Sequence, residues 1–484
     1  MVKPPRLALL IGLSAVLLVA PSPRQAEAQD VSAVVDGAHR GYLAVRSSDD
    51  GEYAVIDELN ADRLFVPASV LKVVTVAATL EHLGPEYRWL TRLTSHGMVA
   101  DSVLDGDLVI EPGGDPTWSG QLWEDGADAP LAALARQVRN RGITRISGDL
   151  VVNGSRFPGR PHPTDRSYGD LPYRHGTPPA ALSVDEATIT VRVAPGASVG
   201  EPARITAPPG VVVLNHTTTV GRERHGAGTL DFLPLWGTDT LLLRGEYPVS
   251  EPAFVVSASD PAPDLRAARR LRDALAETGV TIDGIVRRQV TAVAASGRQA
   301  TSLAEFRSRP LEDVLEQILT ESHNWYADML TLTLALEVAG TGRFDDGVEV
   351  IADFVAVVLG DDAMARASVW IQDGSGLSAS NLVTPAAVVR VLAHVLEQPW
   401  RDTLVDALAR PGTGTLRTWP PVASIAAKTG TLRHTVALAG FLNAGQGTPV
   451  VFCYFVNHYP ERPGTARRQI ASALGRWTAL GSER

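Results

Sequence analysis

Hydrophobic residues recur on nearly every face of one stretch near the amino-terminal end of the chain. Between Ala68 and Leu83 the apolar residues include Val70, Leu71, Val73, Val74, Val76, Ala77, Leu80 and Leu83, and Gly84 follows directly. Apolar residues on every face indicate a buried helix, and a glycine just beyond the last apolar turn is typical of a helix C-terminus. The pattern therefore predicts a core helix that begins near Ala68 and ends before Gly84.

Strand patterns lie at both ends of the chain. Residues 42–46 and 53–56 flank Asp50-Gly51, which is a hairpin signal. Three more strands are predicted at residues 423–431, 436–442 and 450–456, with a helix at 466–479, and Thr384-Pro385 opens another helix with an N-cap and a proline. Strands from both ends can build one antiparallel sheet that helices such as 68–83 cover.

Between these ends the pattern changes to short strands separated by Gly and Pro. Strands are predicted at residues 189–193, 211–214 and 241–243, together with one helix at 264–277. The sequence thus predicts an α+β fold. Residues 29–95 and 300–484 form one domain, and residues 96–299 form one β-rich inserted domain or two, with one nested in the other.

The amino terminus indicates export. Lys3 and Arg6 precede an apolar run at residues 7–20, and the small-residue site Ala26-Glu27-Ala28 follows. This is the pattern of a signal peptide, residues 1–28. The alternative is a retained membrane anchor, but the run is shorter than the roughly 20 residues that a spanning helix needs. We therefore expect no membrane segment after cleavage, and a location in the periplasm or on the extracellular, cell-wall side of a bacterial membrane.

Charge and composition exclude some classes of function. The formal net charge is -10, which disfavours a nucleic-acid partner because binding to phosphates needs surplus Lys and Arg. No metal site and no cofactor are predicted, since the chain has no His-Glu-x-x-His motif and a single cysteine, Cys453. That cysteine lies in an apolar strand pattern and is interpreted as a small buried hydrophobic residue.

Lysine is the rarest source of charge in this chain. Of 44 Lys and Arg residues only Lys3, Lys72 and Lys428 are lysines. Arg and Lys serve about equally well as surface charge, but only an amine can readily give up its proton. The two lysines of the mature chain are therefore expected where a deprotonatable amine is needed.

The first of these lysines follows a serine by one helical turn. Ser69-Val70-Leu71-Lys72 opens the predicted core helix, and a spacing of three places Ser69 and Lys72 on one face. A hydroxyl is a poor nucleophile until a nearby base takes its proton. A lysine that is buried beside a second cation has a lowered pKa and can be that base.

Two further motifs follow towards the carboxyl end. Lys428-Thr429-Gly430-Thr431 lies in a strand pattern, where glycine allows close approach of a ligand or another backbone. Ser322-His323-Asn324 interrupts a helical pattern over residues 311–335. The alternative interpretation of this triplet is a solvated break in a helix.

Together these motifs resemble the signature of penicillin-binding proteins and class A β-lactamases. The chain is most similar to the low-molecular-mass penicillin-binding proteins that act as D-alanyl-D-alanine carboxypeptidase/endopeptidase, which carry long insertions between the first two motifs. The segments that carry this resemblance are Pro67-Ala68-Ser69-Val70-Leu71-Lys72, Gly113-Gly114-Asp115-Pro116-Thr117, Ala181-Leu182-Ser183-Val184, Ser322-His323-Asn324, Asp373-Gly374-Ser375-Gly376-Leu377-Ser378 and Lys428-Thr429-Gly430-Thr431-Leu432.

The resemblance implies a β-lactamase/transpeptidase-like catalytic domain and a role for each motif residue. Ser69 would be acylated and Lys72 would be its base. Ser322 and Lys428 would relay a proton to the leaving D-alanine, and Asn324 would bind the substrate peptide. The substrate-binding residues would be Thr429, Gly430 and Thr431: the two threonines would hold the terminal carboxylate, and backbone N–H groups of Ser69 and Thr431 would form the oxyanion hole.

The partners implied are peptidoglycan stem peptides and β-lactams, which would bind covalently. Two alternatives stay open: a β-lactamase or esterase on the same catalytic frame, and a non-catalytic peptidoglycan-binding module. The chain departs from the family pattern at His323 and at Arg433-His434. We interpret these side chains as facing solvent, as loop residues mostly do, the alternative being that Arg433 or His434 contacts the stem peptide.

Overall fold

A computed structural model of the chain describes residues 37–47, 53–160, 162–221, 230–289, 300–360, 362–422, 424–443, 449–460 and 463–482. The predicted signal peptide and the Asp50-Gly51 turn lie outside these ranges. Within them, no helix combines the length and the apolar character that crossing a membrane requires.

The helices and strands of the described ranges are as follows, in chain order. The helices are α1 (Leu71–Leu83), α2 (Ala129–Asn140), α3 (Pro263–Glu277), α4 (Leu315–Leu319), α5 (Asn324–Glu337), α6 (Phe344–Leu359), α7 (Ala363–Ala367), α8 (Pro385–Glu397), α9 (Arg401–Asp406) and α10 (Pro463–Ser482). The strands are β1 (His39–Ser47), β2 (Tyr53–Leu59), β3 (Leu90–Ser95), β4 (Met98–Ala100), β5 (Val103–Asp105), β6 (Leu108–Glu111), β7 (Arg145–Ile146), β8 (Leu150–Asn153), β9 (Thr188–Ala194), β10 (Arg204–Thr206), β11 (Val212–Val220), β12 (Asp231–Leu235), β13 (Thr240–Pro248), β14 (Phe254–Ser259), β15 (Thr281–Ile282), β16 (Val286–Gln289), β17 (Thr301–Arg307), β18 (Val369–Trp370), β19 (Leu382–Val383), β20 (Ile425–Leu432), β21 (Thr435–Leu442) and β22 (Val450–Asn457).

One antiparallel sheet joins the two ends of the chain, as predicted. Its strand order is β2-β1-β22-β21-β20, and every neighbouring pair is antiparallel. Leu43 of β1 lies opposite Cys453 of β22, and Cys453 is fully buried, which confirms its interpretation as a core residue. Strand β20, which carries Lys428, is an edge strand of this sheet.

Helices cover both faces of this sheet. The core on one face contains α1, α5 and α8, and every residue of α1 from Leu71 to Leu80 is buried. Helix α10 packs on the opposite face through apolar residues such as Ile470 and Trp477. The burial of α1 from Leu71 to Leu80 follows from apolar residues that recur on nearly every face of the helix. This layering of helices on an antiparallel sheet is the predicted α+β arrangement.

The chain between α1 and α4 forms further sheets. Strands β3 and β17 pair with each other and belong to the sheet β16-β8-β6-β3-β17, over which α2 and α3 pack. Two three-stranded sheets, β10-β9-β14 and β11-β13-β12, share a separate apolar core. We propose that the inserted part runs from about Leu90 to Arg307, slightly beyond the predicted limits, and that the part with the separate core is nested in it.

Candidate active site

Ser69 lies in a tight turn that leads into the core helix. Ala68, Ser69 and Val70 form a 3-10 turn, and α1 continues from it at Leu71. Ser69 is partly exposed, whereas Lys72 is fully buried. The Lys72 Nζ donates a hydrogen bond of 2.9 Å to Ser69 Oγ. The predicted contact along one helix face is therefore present.

The Lys72 amine is held by three acceptors. Besides Ser69 Oγ, its Nζ donates to Asn324 Oδ1 at 2.6 Å and to the carbonyl of Ser375 at 2.5 Å. Burial lowers the pKa of Lys72 to about 7, and the charge of Arg166 acts in the same direction, while Asp328 and Asp373 oppose it. A lysine with a pKa near 7 is substantially neutral at physiological pH and can accept a proton.

The second motif sits where one helix ends and the next begins. Ser322 has a positive φ of 63°, and α5 starts at Asn324. This break turns both side chains into the site. Asn324 Nδ2 donates to the carbonyl of His175 at 2.7 Å. The amide is thereby oriented with its oxygen towards Lys72.

Lys428 forms a second serine–lysine pair. Its Nζ donates to Ser322 Oγ at 2.8 Å and to the carbonyl of Thr429 at 2.9 Å. The side chain is fully buried, and this burial, followed by the charge of Lys72, lowers the pKa of Lys428 well below its ordinary value. The effect of one amine on the other places the two pairs in one electrostatic environment.

Gly430 lets β20 approach the turn that contains Ser69. A Cβ at this position would lie 2.8 Å from the carbonyl oxygen of Pro67 and 3.1 Å from Ala68 Cβ. Thr429 is buried and donates from its hydroxyl to Thr415 Oγ1 at 2.7 Å, whereas Thr431 is exposed. The structure thus brings the three sequence motifs together, with Thr431 at the solvent side.

The loop between β18 and β19 packs against the turn that contains Ser69. Asp373 accepts from the backbone N–H groups of Gly376, at 2.7 Å, and Ser378, at 2.8 Å. Gly376 has a φ of +74°, and a Cβ there would lie 1.9 Å from the carbonyl oxygen of Ala68. The loop therefore depends on glycine for both its conformation and its contact with the turn that contains Ser69.

A Gly376→Ala variant is expected to lose most of the rate at which the predicted nucleophile, Ser69, is acylated, and to unfold at lower temperature. Its Cβ would force apart the loop and the Ala68 turn, a displacement large enough to cost 10²-fold or more, as an order of magnitude, in rate. Gly412→Ala is the matched control, because Gly412 has a φ of +82° but no atom near its Cβ position. If both variants show equal rate losses, the close approach is not the cause.

Of the three residues that depart from the family pattern, two face solvent and one does not. Arg433 and His434 are exposed, as predicted. His323 is buried, with 5% of its surface exposed, so its interpretation as solvent-facing is wrong. Its ring packs edge-on against Tyr326, and burial lowers its pKa to about 3. The α4–α5 break directs this side chain inwards, where it is neutral.

Several residues of the site were not found from the sequence motifs. Arg166 and His175 come from the inserted part, and Asp328 lies one turn into α5 beyond Asn324. The side chains of Arg166, Asp328 and Asp373 are completely buried and form ion pairs. Among the described residues no group of His, Cys, Asp or Glu has the arrangement of a metal site.

A serine beside a buried lysine at a helix start, with a second serine paired to a buried lysine of an edge strand, defines a serine acyl-transfer enzyme of the penicillin-binding type. The chain belongs to the D-Ala-D-Ala carboxypeptidase 3 (S13) family, whose sequence model matches residues 28–479. It is thus a serine-type carboxypeptidase, a hydrolase, as the sequence resemblance predicted.

Curated relatives and solved structures agree with this assignment. The D-alanyl-D-alanine carboxypeptidase of Actinomadura sp. (strain R39) is 29% identical over 90% of this chain and 82% of its own length. DacB of Haemophilus influenzae is 25% identical over 88% of this chain and 86% of its own length. The crystal structure of penicillin binding protein 4 (dacB) from Haemophilus influenzae matches with a TM-score of 0.79 at 24% identity, over 93% of this chain and 99% of that chain. The last similarity confirms the fold class.

Proposed function

We propose that this chain removes the terminal D-alanine from peptidoglycan stem peptides through an acyl-enzyme on Ser69. The observation that carries the proposal is the buried Lys72 amine, 2.9 Å from Ser69 Oγ and with a pKa of about 7. Ser69 and Lys72 can exchange a proton directly, and the amine is neutral in a large fraction of molecules at neutral pH. The family assignment supplies the substrate class.

Acylation begins with transfer of the Ser69 hydroxyl proton to Lys72 Nζ. The Ser69 oxygen attacks the carbonyl carbon of the penultimate D-alanine and forms a tetrahedral oxyanion. Backbone N–H groups of Ser69 and Thr431 are suited to stabilise this charge, since donors placed at a developing oxyanion lower its free energy. The oxyanion then collapses, the C–N bond breaks, and an ester on Ser69 remains.

The leaving amine needs a proton, which the second pair can deliver. Ser322 Oγ accepts a hydrogen bond from Lys428 Nζ, so it can pass its own proton to the amine and regain one from Lys428. Lys428 in turn takes up the proton that Lys72 removed from Ser69, so both lysines are neutral again before the ester is hydrolysed. Asn324 accepts a hydrogen bond from Lys72 Nζ, and its amide group can donate to the acyl part of the substrate. Water then hydrolyses the ester, which releases the carboxylate product and regenerates free Ser69.

The edge strand offers a binding surface for the substrate. Strand β20 ends the sheet, and extended peptides add to such edges through backbone hydrogen bonds. Thr429 and exposed Thr431 lie on this strand beside Lys428, where their hydroxyls and the amine suit a terminal carboxylate. Gly430 keeps the strand close to the turn that contains Ser69.

The same site is suited to acylation by β-lactams. One solved structure similar to this chain, with a TM-score of 0.75, is penicillin binding protein 4 from Haemophilus influenzae in complex with a novel β-lactam. Attack of Ser69 on a β-lactam carbonyl would leave an ester of the same kind. We also propose that the chain is exported, since its substrate class lies outside the cytoplasm and residues 1–28 have the pattern of a signal peptide.

The proposal is tested by labelling the mature protein with a fluorescent penicillin and locating the modified residue by mass spectrometry. We expect a stable label on Ser69 and steady hydrolysis of a D-Ala-D-Ala peptide that penicillin blocks. Rapid loss of the label with release of opened penicillin would instead identify a β-lactamase. A label on any other residue would overturn the assignment of the nucleophile.

A further inference from the structure

A buried cluster of three charges lies against the Lys72 amine. Arg166 Nη2 donates to Asp328 Oδ2 at 2.7 Å, to Asp373 Oδ2 at 3.1 Å and to Ser375 Oγ at 3.3 Å. The side chains of all three charged residues have no exposed surface. The cluster joins three parts of the chain, namely the inserted part, helix α5 and the loop after β18.

The cluster acts on the Lys72 amine in two ways: through Ser375, which Arg166 contacts, and through the electric field of its three charges. The carbonyl of Ser375, whose hydroxyl accepts from Arg166, receives a hydrogen bond of 2.5 Å from Lys72 Nζ. Asp328 and Asp373 each raise the pKa of Lys72, whereas Arg166 lowers it. The two carboxylates thus favour the ammonium form of Lys72, and the guanidinium counteracts them.

The balance of charge explains why a permanent cation is needed to keep Lys72 neutral near pH 7. With Lys72 neutral, the cluster carries one positive and up to two negative charges, and without Arg166 it would carry up to two negative charges in a buried site. Opposite charges at such distances shift a pKa by about 1 to 3 units. Two unopposed carboxylates would therefore hold Lys72 protonated near pH 7, and a protonated amine cannot accept the Ser69 proton.

We propose that Arg166 is a positioning residue of the proposed acylation reaction: its guanidinium balances Asp328 and Asp373 so that Lys72 is available as the neutral base, and it fixes Ser375, which orients the Lys72 amine. The inserted part of the chain thereby completes the active site that the two ends of the chain build. This inference rests on the proposed function, because it assigns a role in the activation of Ser69.

A second contact from the same segment supports this role of the insertion. The carbonyl of His175, nine residues after Arg166, accepts from Asn324 Nδ2 and orients the amide whose oxygen binds Lys72. Both contacts reach the base through a residue that itself touches Lys72. Residues 166–175 thus act on the base through Ser375 and Asn324.

The charged and titratable groups that face Lys72 come from every surrounding element. They are Asp328 on α5, Asp373 on the loop, Arg166 on the inserted segment, Lys428 on β20 and the neutral His323 at the α4–α5 break. Burial raises the pKa of Asp328 to about 6, so Asp328 loses its proton just below the pH range in which Lys72 titrates. Arg166 keeps its charge throughout this range.

The test is the pH dependence of the second-order rate of penicillin acylation in the full mature protein. The variants are Arg166→Gln, Asp328→Asn and the double variant. The wild-type rate should rise with pH and reach half its maximum near pH 7. Arg166→Gln should move this midpoint up by about one pH unit or more, and Asp328→Asn should move it down. The double variant restores the charge balance, so its midpoint should return to within about half a unit of wild type.

A conservative variant separates charge from packing. Arg166 Nε and Nη1 have no hydrogen-bond partner among the described residues, so the contacts depend on one nitrogen and on the charge. Arg166→Lys should therefore keep the midpoint near pH 7. Its maximal rate should fall by a few fold, because the shorter side chain positions Ser375 less well.

The outcomes distinguish the two proposals. Rates that fall equally at every pH, with unmoved midpoints in both Arg166→Gln and Asp328→Asn, would show a merely structural cluster and overturn the role of Arg166. Asp328→Asn retains the cation, so its midpoint decides the matter if Arg166→Gln does not fold. Absence of acylation in the wild type at any pH would overturn the proposed function, and with it this inference.

Discussion

A Ser69→Ala variant is expected to lose carboxypeptidase activity by about 10⁶-fold, the scale of loss when a serine peptidase loses its nucleophile. The acyl-enzyme route needs an oxygen at this position, and Ser69 Oγ is the hydroxyl that accepts from Lys72 Nζ. The measurement is kcat on a D-Ala-D-Ala peptide, together with covalent labelling by penicillin, which should be absent.

The fold should survive this substitution. Ser69 is partly exposed, and removal of its hydroxyl costs one of three hydrogen bonds from Lys72, a change of about 1 kcal/mol. Thermal unfolding close to that of the wild type would show this. Ser250→Ala, at an exposed serine in the inserted part, is the matched control and should keep full activity. Persistent labelling of the Ser69→Ala protein would place the nucleophile elsewhere.

Lys72→Arg is expected to reduce the acylation rate by about 10³- to 10⁴-fold, although it preserves a positive charge. Guanidinium keeps its proton at any relevant pH and cannot act as the base. General-base catalysis is worth about 10² to 10⁴ in rate, and the larger side chain also misplaces Ser69. Stopped-flow acylation by penicillin gives the rate, and the wild-type midpoint near pH 7 should vanish from its profile.

A second substitution separates the loss of the base from misfit. Lys72→Met has similar length and no charge, so it fits the buried position without an unpaired ammonium. It should fold and still acylate at least about 10²-fold more slowly than the wild type, because it also lacks a base. If either variant kept a rate within tenfold of the wild type, Lys72 would not be the general base.

The candidate catalytic motifs could be recognised because each is a short local sequence. A spacing of three residues brings Ser69 to Lys72 on any helix, whatever surrounds it. The near absence of lysine from the chain distinguishes positions 72 and 428 by residue type alone. Strand-like apolar runs and turn residues likewise predicted the strands at both ends, and the observed pairing of β1 with β22 confirmed one sheet.

The orientation of the second motif could not be read from its residues. His323 was interpreted as solvent-facing because loop side chains mostly face solvent, yet it is buried against Tyr326. A residue at a helix break does not lie on a regular helical face, so periodicity no longer predicts the direction of its side chain. The positive φ of Ser322 and the start of α5 at Asn324 decide that direction.

The sequence by itself determined the fold class, the family signature, and the residues predicted to carry and activate the acyl group, because these depend on periodicity and short spacings. Only the tertiary structure decided the environment of the base. Arg166 is one of 41 arginines and nothing in its neighbourhood marks it, yet it lies in the same buried cluster as Asp328 and Asp373. The pKa of Lys72 depends on burial and on charges distant in sequence, which meet only when the insertion packs onto the catalytic sheet and its helices.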